Sequence, residues 1–194
     1  VYNISMQIFD NETRFDESYF AYYFNNHVLT IGRTSRWWSP SSDSSLILSN
    51  SARPSPGISL KNYNPKIIQS KYFSFLGPIN YEFFINKLEE NRYVPNALLF
   101  GNRISIQPHS RLGVSFFRTA QFGGDGRNLN TKIFVDLLLG KDNYDADDLN
   151  KENEPGNQIG GMDFNLLLLQ KKNLSLYGQI AGEDESGYLP SKTF

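Results

Sequence analysis

The sequence predicts an all-β fold, namely an antiparallel transmembrane β-barrel of the outer-membrane type. Two observations support this class. Apolar and polar residues alternate along several segments with the period of two expected of strands that have one apolar and one polar face. Short polar turns also alternate with long loops along the chain, so antiparallel strands place every short turn at one end of the sheet and every long loop at the other. Recognition chemistry is therefore expected in the long loops and in the lumen.

Nine segments are predicted as strands, and several approach the roughly 9–11 residues that a tilted strand needs to cross a bilayer. They cover residues 1–9, 18–24, 27–35, 67–76, 81–88, 96–107, 111–121, 158–170 and 173–182. In the first segment, for example, Tyr2, Ile4 and Met6 share one face. Segment 67–76 is ambiguous because its aromatic residues fall on both faces.

The connections between these strands fall into two classes. Tight turns are predicted at Asn25-Asn26, Gly77-Pro78-Ile79-Asn80, Pro108-His109-Ser110 and Lys171-Lys172-Asn173. Long loops are predicted at about 10–17, 36–66, 89–95, 122–157 and past 183. One helix is predicted inside the fourth loop, where Asn130 caps it, Phe134 and Leu137 contribute to an apolar stripe, and Gly140 ends it. We expect this helix to pack into the mouth of the barrel.

The number of strands indicates an incomplete barrel. Bacterial single-chain barrels have an even number of strands, so nine strands leave a sheet with two exposed edges. We therefore expect residues 1–194 to form one domain that is part of a larger barrel. A soluble β-sandwich or jelly roll alternates in the same way. Strand length, the one-sided long loops and aromatic residues near strand ends favour the barrel.

Composition excludes several classes of protein. No run approaches the roughly 18 apolar residues of a membrane-spanning helix, so any crossing of a bilayer uses strands. Lys and Arg total 19 against 20 for Asp and Glu, which gives no basic field to attract nucleic acid. The chain contains no cysteine, which excludes disulfides, thiolate metal sites and cysteine nucleophiles.

Metal, cofactor and catalytic signatures are weak. Asn143, Asp145, Asp147 and Glu154 have the spacing of a calcium loop, but Asp148 stands where a glycine is needed, so a solvated acidic loop is expected and calcium is left open. His27 and His109 lack partners at metal or triad spacing. The adjacent carboxylates Glu89-Glu90 and Asp147-Asp148 are poor candidates for a glycosidase pair, and no nucleophile elbow or phosphate loop is present. We predict no cofactor, no metal and no catalytic residue.

The most specific segment runs Arg36-Trp37-Trp38-Ser39-Pro40-Ser41-Ser42-Asp43-Ser44-Ser45-Leu46-Ile47-Leu48-Ser49-Asn50-Ser51-Ala52-Arg53-Pro54. It resembles the capsule assembly Wzi family, whose barrels carry Arg-Trp-Trp-Gly-Pro followed by Asp-Ser-Ser-Leu-Ile-Leu-Ser and Asn-Ala-Arg-Pro. Further similar blocks follow in order at 92–101, 118–127 and 154–158. The chain departs from the family where Ser39-Pro40-Ser41 replaces Gly-Pro-Gly.

The resemblance implies an outer-membrane barrel lectin of roughly eighteen strands that holds capsular polysaccharide at the cell surface of a Gram-negative bacterium. About half of that barrel is expected here. Its partners are then capsular or surface polysaccharide and outer-membrane lipid. A soluble β-sandwich enzyme acting on glycans and a general diffusion porin are the alternatives.

Two groups of residues are candidates for carbohydrate binding. An aromatic face packs against the C–H face of a sugar, while Arg, Asp and Asn side chains bind its hydroxyl or carboxylate groups. The first loop offers Arg36, Trp37, Trp38, Asp43 and Arg53, and the Gly123-Gly124 turn is surrounded by Arg118, Asp125 and Arg127. The alternatives are tryptophans that anchor at the membrane interface and arginines that only form salt bridges within their loops. Arg103 and Asp163 are expected on lumen faces, where they pair with each other or with water.

Overall fold

The computed structural model describes residues 1–9, 12–127, 129–138, 158–170 and 173–183. Its strands are β1 (Tyr2–Asn3), β2 (Gln7–Phe9), β3 (Glu12–Arg14), β4 (Tyr19–Phe24), β5 (His27–Arg33), β6 (Pro56–Asn62), β7 (Lys66–Ile67), β8 (Pro78–Lys87), β9 (Leu98–His109), β10 (Leu112–Phe122), β11 (Gln158–Leu169) and β12 (Leu174–Glu183). The helices are α1 (Thr131–Leu138) and a 3-10 turn (Ser74–Leu76).

One antiparallel sheet contains ten of these strands. Its order is β1-β4-β5-β6-β8-β9-β10-β11-β12, with β7 beside β8, while β2 and β3 form a separate hairpin. Strands that follow one another along the chain therefore lie side by side, which is an up-and-down arrangement. The sheet does not close, so β1 and β12 are its edges among the described strands. The predicted all-β antiparallel class is confirmed.

The register of the strands separates a polar and an apolar face. On β8, the side chains of Glu82, Phe84 and Asn86 alternate with those of Tyr81, Phe83 and Ile85. The face that carries Glu82 continues through Ser59, Arg103, Ser115, Asp163 and Gln179 on neighbouring strands. The opposite face continues through Ile58, Ile104, Phe116, Met162 and Ile180, all of which are at least 38% exposed. We call the first the inner face and the second the outer face.

The two ends of the sheet differ as the sequence predicts. The tight connections at 25–26, 110–111 and 170–173 all lie at one end, the turn end. The long connections 34–55, 88–97 and 123–157 join strands at the opposite end, the loop end. One turn-end connection, 63–77, is longer than expected because it contains β7 and the 3-10 turn.

Three predictions between residues 56 and 80 are wrong. Strand β6 lies inside the predicted loop 36–66, because its opening Pro56-Gly57 reads as a turn although Ile58 and Leu60 alternate with polar residues. Of the predicted strand 67–76, only Ile67 is in a strand, and Ser74–Leu76 form the 3-10 turn at the turn end. The predicted tight turn at 77–80 is instead the start of β8, and a Cβ at Gly77 would come within 1.9 Å of the Gln107 carbonyl oxygen, which explains the glycine.

The predicted strand 1–9 is also divided. Only Tyr2–Asn3 pair with β4, and Gln7–Phe9 pair with β3 instead. The backbone leaves the sheet at Ser5, whose amide N–H and carbonyl oxygen both bond to the Ser18 hydroxyl at 2.9 Å. Apolar and polar residues do alternate in this segment, but the bonds to the Ser18 side chain turn the backbone away from the sheet.

Helix α1 forms as predicted but packs on a different surface. The amide of Phe134 donates to the Asn130 carbonyl at 3.2 Å, which places the start of the helix at the predicted cap. Leu137 is fully buried in a cluster with Phe100, Ala120 and Phe122, and Phe134 packs against the same cluster. These strand residues belong to the outer face, so the expectation that the helix enters the barrel mouth is corrected. Gly140 lies outside the described residues.

Candidate functional site

The first long loop, residues 34–55, folds back over the inner face of the sheet. Trp38 is 2% exposed and lies in a cluster with Phe84 and Phe117, with its ring 5.4 Å from the Phe84 ring. Its indole N–H donates to a Glu82 carboxylate oxygen at 3.1 Å. A tryptophan buried in this way fixes the position of the loop on the sheet, since both its apolar surface and its N–H are satisfied.

Glu82 also holds the neighbouring arginine. The Arg36 Nε donates to the second Glu82 oxygen at 2.9 Å, and the Arg36 guanidinium lies 4.1 Å from the centroid of the Phe84 ring. One carboxylate therefore binds two residues at the start of the Wzi-like segment. Ion pairing together with cation–π packing makes this contact stronger than an exposed salt bridge.

The distant strand β12 provides a second attachment. Gln179 donates its amide to the Trp38 carbonyl at 2.6 Å and accepts from the Leu46 backbone N–H at 2.9 Å. At the other side of the loop, Arg53 forms a two-pronged ion pair with Asp16, with distances of 3.1 and 3.3 Å. The loop is therefore fixed to β8, β12 and the segment that precedes β4.

Replacing Gln179 by Ala removes both backbone contacts to the loop. We expect the attachment of the loop to the sheet to be weakened by about 1–3 kcal/mol, because the Trp38 carbonyl and the Leu46 N–H lose their hydrogen-bond partner. The expected result in the complete protein is faster proteolytic cleavage within residues 39–50. Tyr177→Ala, two residues away on the same strand face, is the matched control and should leave the cleavage rate unchanged; equal rates for Gln179→Ala and the wild type would contradict the attachment.

The inner face below the loop carries a buried ion pair. Arg103 Nη2 lies 2.8 Å from Asp163 Oδ2, with side chains 16% and 4% exposed. Arg103 also donates to the Ser115 hydroxyl at 3.0 Å. The predicted inward positions of both residues and their pairing are confirmed. This pair joins β9 to β11 across β10.

At the loop end, a cavity of about 320 Å³ opens to solvent between connections 88–97 and 123–127. Its lining includes Arg92, Tyr93, Gln121 and Arg127, and Tyr93 is 96% exposed. We call it the mouth cavity. Arg92 lies 2.6 Å from Glu89, and this hydrogen bond holds the pKa of the Glu89 carboxyl below its usual range. An exposed ring beside two guanidinium groups is suited to a sugar that carries hydroxyl or carboxylate groups.

The residues predicted to bind carbohydrate lie in separate places. Arg36 and Trp38 face the inner side of the sheet, whereas Trp37 is half-buried and donates to the Ser41 carbonyl at 2.6 Å. Asp43 is exposed in the same loop, and Arg53 lines a smaller cavity of about 120 Å³ together with Arg36 and Arg92.

The second predicted group is divided as well. Asp125 accepts a hydrogen bond from the Asn96 amide at 2.8 Å. Arg127 lines the mouth cavity. Arg118 is instead on the outer face, opposite Asn102 and Gly160. Its expected position beside the mouth is therefore corrected. The sequence itself indicates this position, because Val114, Phe116 and Arg118 are two residues apart on one strand and therefore share a face.

Arg92, Tyr93 and Gln121 were not among the predicted binding residues. Arg92 and Tyr93 stand in one of the blocks that resemble the family, in a loop at the same end as residues 34–55. A tyrosine in a polar loop has no apolar surface to cover, and this feature of the sequence indicates a binding residue.

Within the described ranges, no group of three or more His, Asp and Glu residues is arranged to hold a metal ion. The calcium-like spacing of Asn143, Asp145, Asp147 and Glu154 lies outside the described residues. His27 donates to or accepts from the Tyr81 hydroxyl at 2.6 Å.

The architecture defines a class of protein. An up-and-down antiparallel sheet with a polar inner face, an apolar outer face and long loops at one end is a segment of an outer-membrane β-barrel. No helix among the described residues has the length and apolar character needed to cross a membrane.

Comparison with known proteins gives the particular family. The sequence matches the family described as capsule assembly protein Wzi across residues 1–193, and the chain belongs to that family. An uncharacterized 55.8 kDa protein in the cps region of Klebsiella pneumoniae is 35% identical over 185 residues, which are 93% of this chain and 36% of that protein. The predicted family is thus confirmed.

A solved structure provides the comparison of folds. Wzi of Escherichia coli, an outer-membrane protein involved in group 1 capsule assembly, is a carbohydrate-binding β-barrel; it is 29% identical to this chain, with a TM-score of 0.78 over 97% of this chain and 38% of its own. The predicted β-barrel class and outer-membrane location are confirmed by this match. The chain spans about a third of the length of both relatives.

Proposed function

We propose that the complete protein containing this chain binds capsular polysaccharide at the outer surface of a Gram-negative bacterium and helps to assemble or anchor the capsule. Family membership and the carbohydrate-binding barrel that resembles this chain support the proposal. The observation that carries it in this chain is the mouth cavity, where Tyr93, Arg92 and Arg127 face solvent at the loop end. The proposed activity is binding, without cleavage of the polysaccharide.

The predicted residues divide into two roles in this proposal. Tyr93, Arg92 and Arg127 contact the polysaccharide, and Asp43, Trp37 and Arg53 extend the contact surface along the first loop. Trp38 and Arg36 position that loop, because both side chains are buried against the inner face and bound to Glu82, whereas the Arg53 side chain is half-exposed. Asp125 supports the cavity through Asn96. Arg118, on the outer face, is not included.

The direct test uses the complete protein and purified capsular polysaccharide from the producing strain, with dextran as the uncharged reference. Removing an exposed aromatic anchor together with one cation typically costs about 1–2 kcal/mol, so Tyr93→Ala/Arg127→Ala should weaken binding about five- to thirtyfold. Tyr72→Ala is the matched control, because Tyr72 is 77% exposed but lies at the turn end.

Two results would remove the proposal. One is undetectable binding of the capsular polysaccharide by the wild-type complete protein. The other is equal binding by the double variant and by Tyr72→Ala. Shortening of the polysaccharide during incubation would contradict binding without cleavage, and strong ion conductance in a planar bilayer would favour the diffusion porin.

A further inference from the structure

The outer face contains an apolar groove near the loop end, away from both the first loop and the mouth cavity. Its volume is about 450 Å³, and β6, β8 and β9 line it with Ile58, Leu60, Phe83, Ile85, Leu98 and Lys87. We call it the outer groove. Its volume falls within the roughly 300–1,000 Å³ of typical ligand pockets.

The register shows why a depression exists at this place. Ile58 lies opposite Ile85, and Ile85 lies opposite Phe100, so one row of outward side chains runs across three strands; Lys87 and Leu98 form the next row toward the loop end. Leu98 and Phe100 also pack against helix α1, which stands on the outer face beside the groove. The helix raises the surface on one side, while the strands on the other side remain uncovered.

Charge distinguishes the two ends of the groove. Lys87 is exposed at the last position of β8, at the loop end, and the described part of the chain contains no ion pair to its ammonium group. Nearer the turn end, the outward side chains that line the groove are the apolar Ile58, Leu60, Phe83 and Ile85. An acyl chain in the groove would therefore place its headgroup beside Lys87, where a cation attracts an anionic lipid.

The orientation of the barrel selects the lipid. Long loops face outward in outer-membrane barrels, so the loop end of β8 lies in the outward leaflet. That leaflet is built from a glycolipid whose phosphate groups lie at the boundary between its sugars and its acyl chains. We propose that the outer groove binds one acyl chain of this phosphorylated glycolipid, with Lys87 at its phosphate. The inference depends on the membrane location and not on polysaccharide binding.

The test is native mass spectrometry of the detergent-solubilised complete protein, with lipid A as the probe and phosphatidylglycerol as the comparison lipid. Loss of one interfacial cation corresponds to about fivefold weaker binding, which is expected for Lys87→Gln. Ile58→Trp fills the groove and should reduce retained lipid A by more than Lys87→Gln does. The matched controls are Lys66→Gln at the turn end and Ile180→Trp on the outer face of β12, both with wild-type retention.

The proposal is overturned if Lys87→Gln and Ile58→Trp retain as much lipid A as their controls. It is also overturned if phosphatidylglycerol is retained as well as lipid A, because the groove then shows no preference for the glycolipid. Polysaccharide binding by these variants should be unchanged, so a failure here is distinguishable from a failure of the proposed function.

Discussion

Trp38→Ala is expected to lower the unfolding free energy of the complete protein by about 3–5 kcal/mol and to release the first loop from the inner face. Trp38 is 2% exposed and packs between Phe84 and Phe117, so its removal leaves a cavity as well as a Glu82 oxygen without its donor. The measurement is equilibrium urea unfolding of the protein folded into lipid vesicles, together with limited proteolysis at residues 39–50.

Tyr93→Ala is the control for this prediction, because Tyr93 is 96% exposed and removing it creates no cavity. We expect it to leave stability within about 0.5 kcal/mol of the wild type. A wild-type unfolding midpoint and an intact first loop in Trp38→Ala would show that this tryptophan does not hold the loop.

The second large effect is expected for the buried ion pair. Arg103→Ala leaves the Asp163 carboxylate, 4% exposed, without its countercharge, and removal of one partner of a buried pair typically costs about 3–5 kcal/mol. The expected result is a lower urea midpoint. It should be accompanied by a gain in stability as the pH is lowered, because protonation then removes the uncompensated charge of Asp163.

The double variant Arg103→Gln/Asp163→Asn separates charge from packing. Replacing both partners leaves no buried charge, so it should be substantially more stable than Arg103→Ala. If Arg103→Ala and the double variant lose equal stability, or if neither loses any, the pair has no role in holding β9 to β11.

The general architecture could be predicted from the sequence, because the alternation of apolar and polar residues and the lengths of the loops are local features of the chain. The assignment of connections to the loop end and the turn end is correct although β6 was missed and a strand was predicted at 67–76. Because one strand was missed and one was added, the direction of every later strand is unchanged. Pro56-Gly57 masked the start of β6, since both residues favour turns and only pairing with β5 and β8 makes this segment a strand.

The site was less predictable, because its contacts join residues far apart in the chain. From the sequence, Trp38 is a candidate to stack on a sugar. In the fold, the sheet places Glu82 and Gln179 beside it, and both bond to it. The packing of α1 likewise depends on Phe100 and Phe122, whose outward direction follows from the register and not from the helix sequence. Residue type therefore indicated which long loops are candidates for binding, while tertiary pairing decided which of their side chains remain exposed.

We expect the face that carries Glu82, Arg103 and Asp163 to enclose water and the opposite face to contact lipid. Adjacent residues on β12 test it directly, since Leu176 on the outer face and Tyr177 on the inner face are 51% and 49% exposed. A fluorophore is attached to Leu176→Cys or Tyr177→Cys in the complete protein, and its quenching by spin-labelled lipids is measured in vesicles. We predict strong quenching at position 176 and weak quenching at position 177; equal quenching, or the reverse order, would contradict the assignment of the two faces.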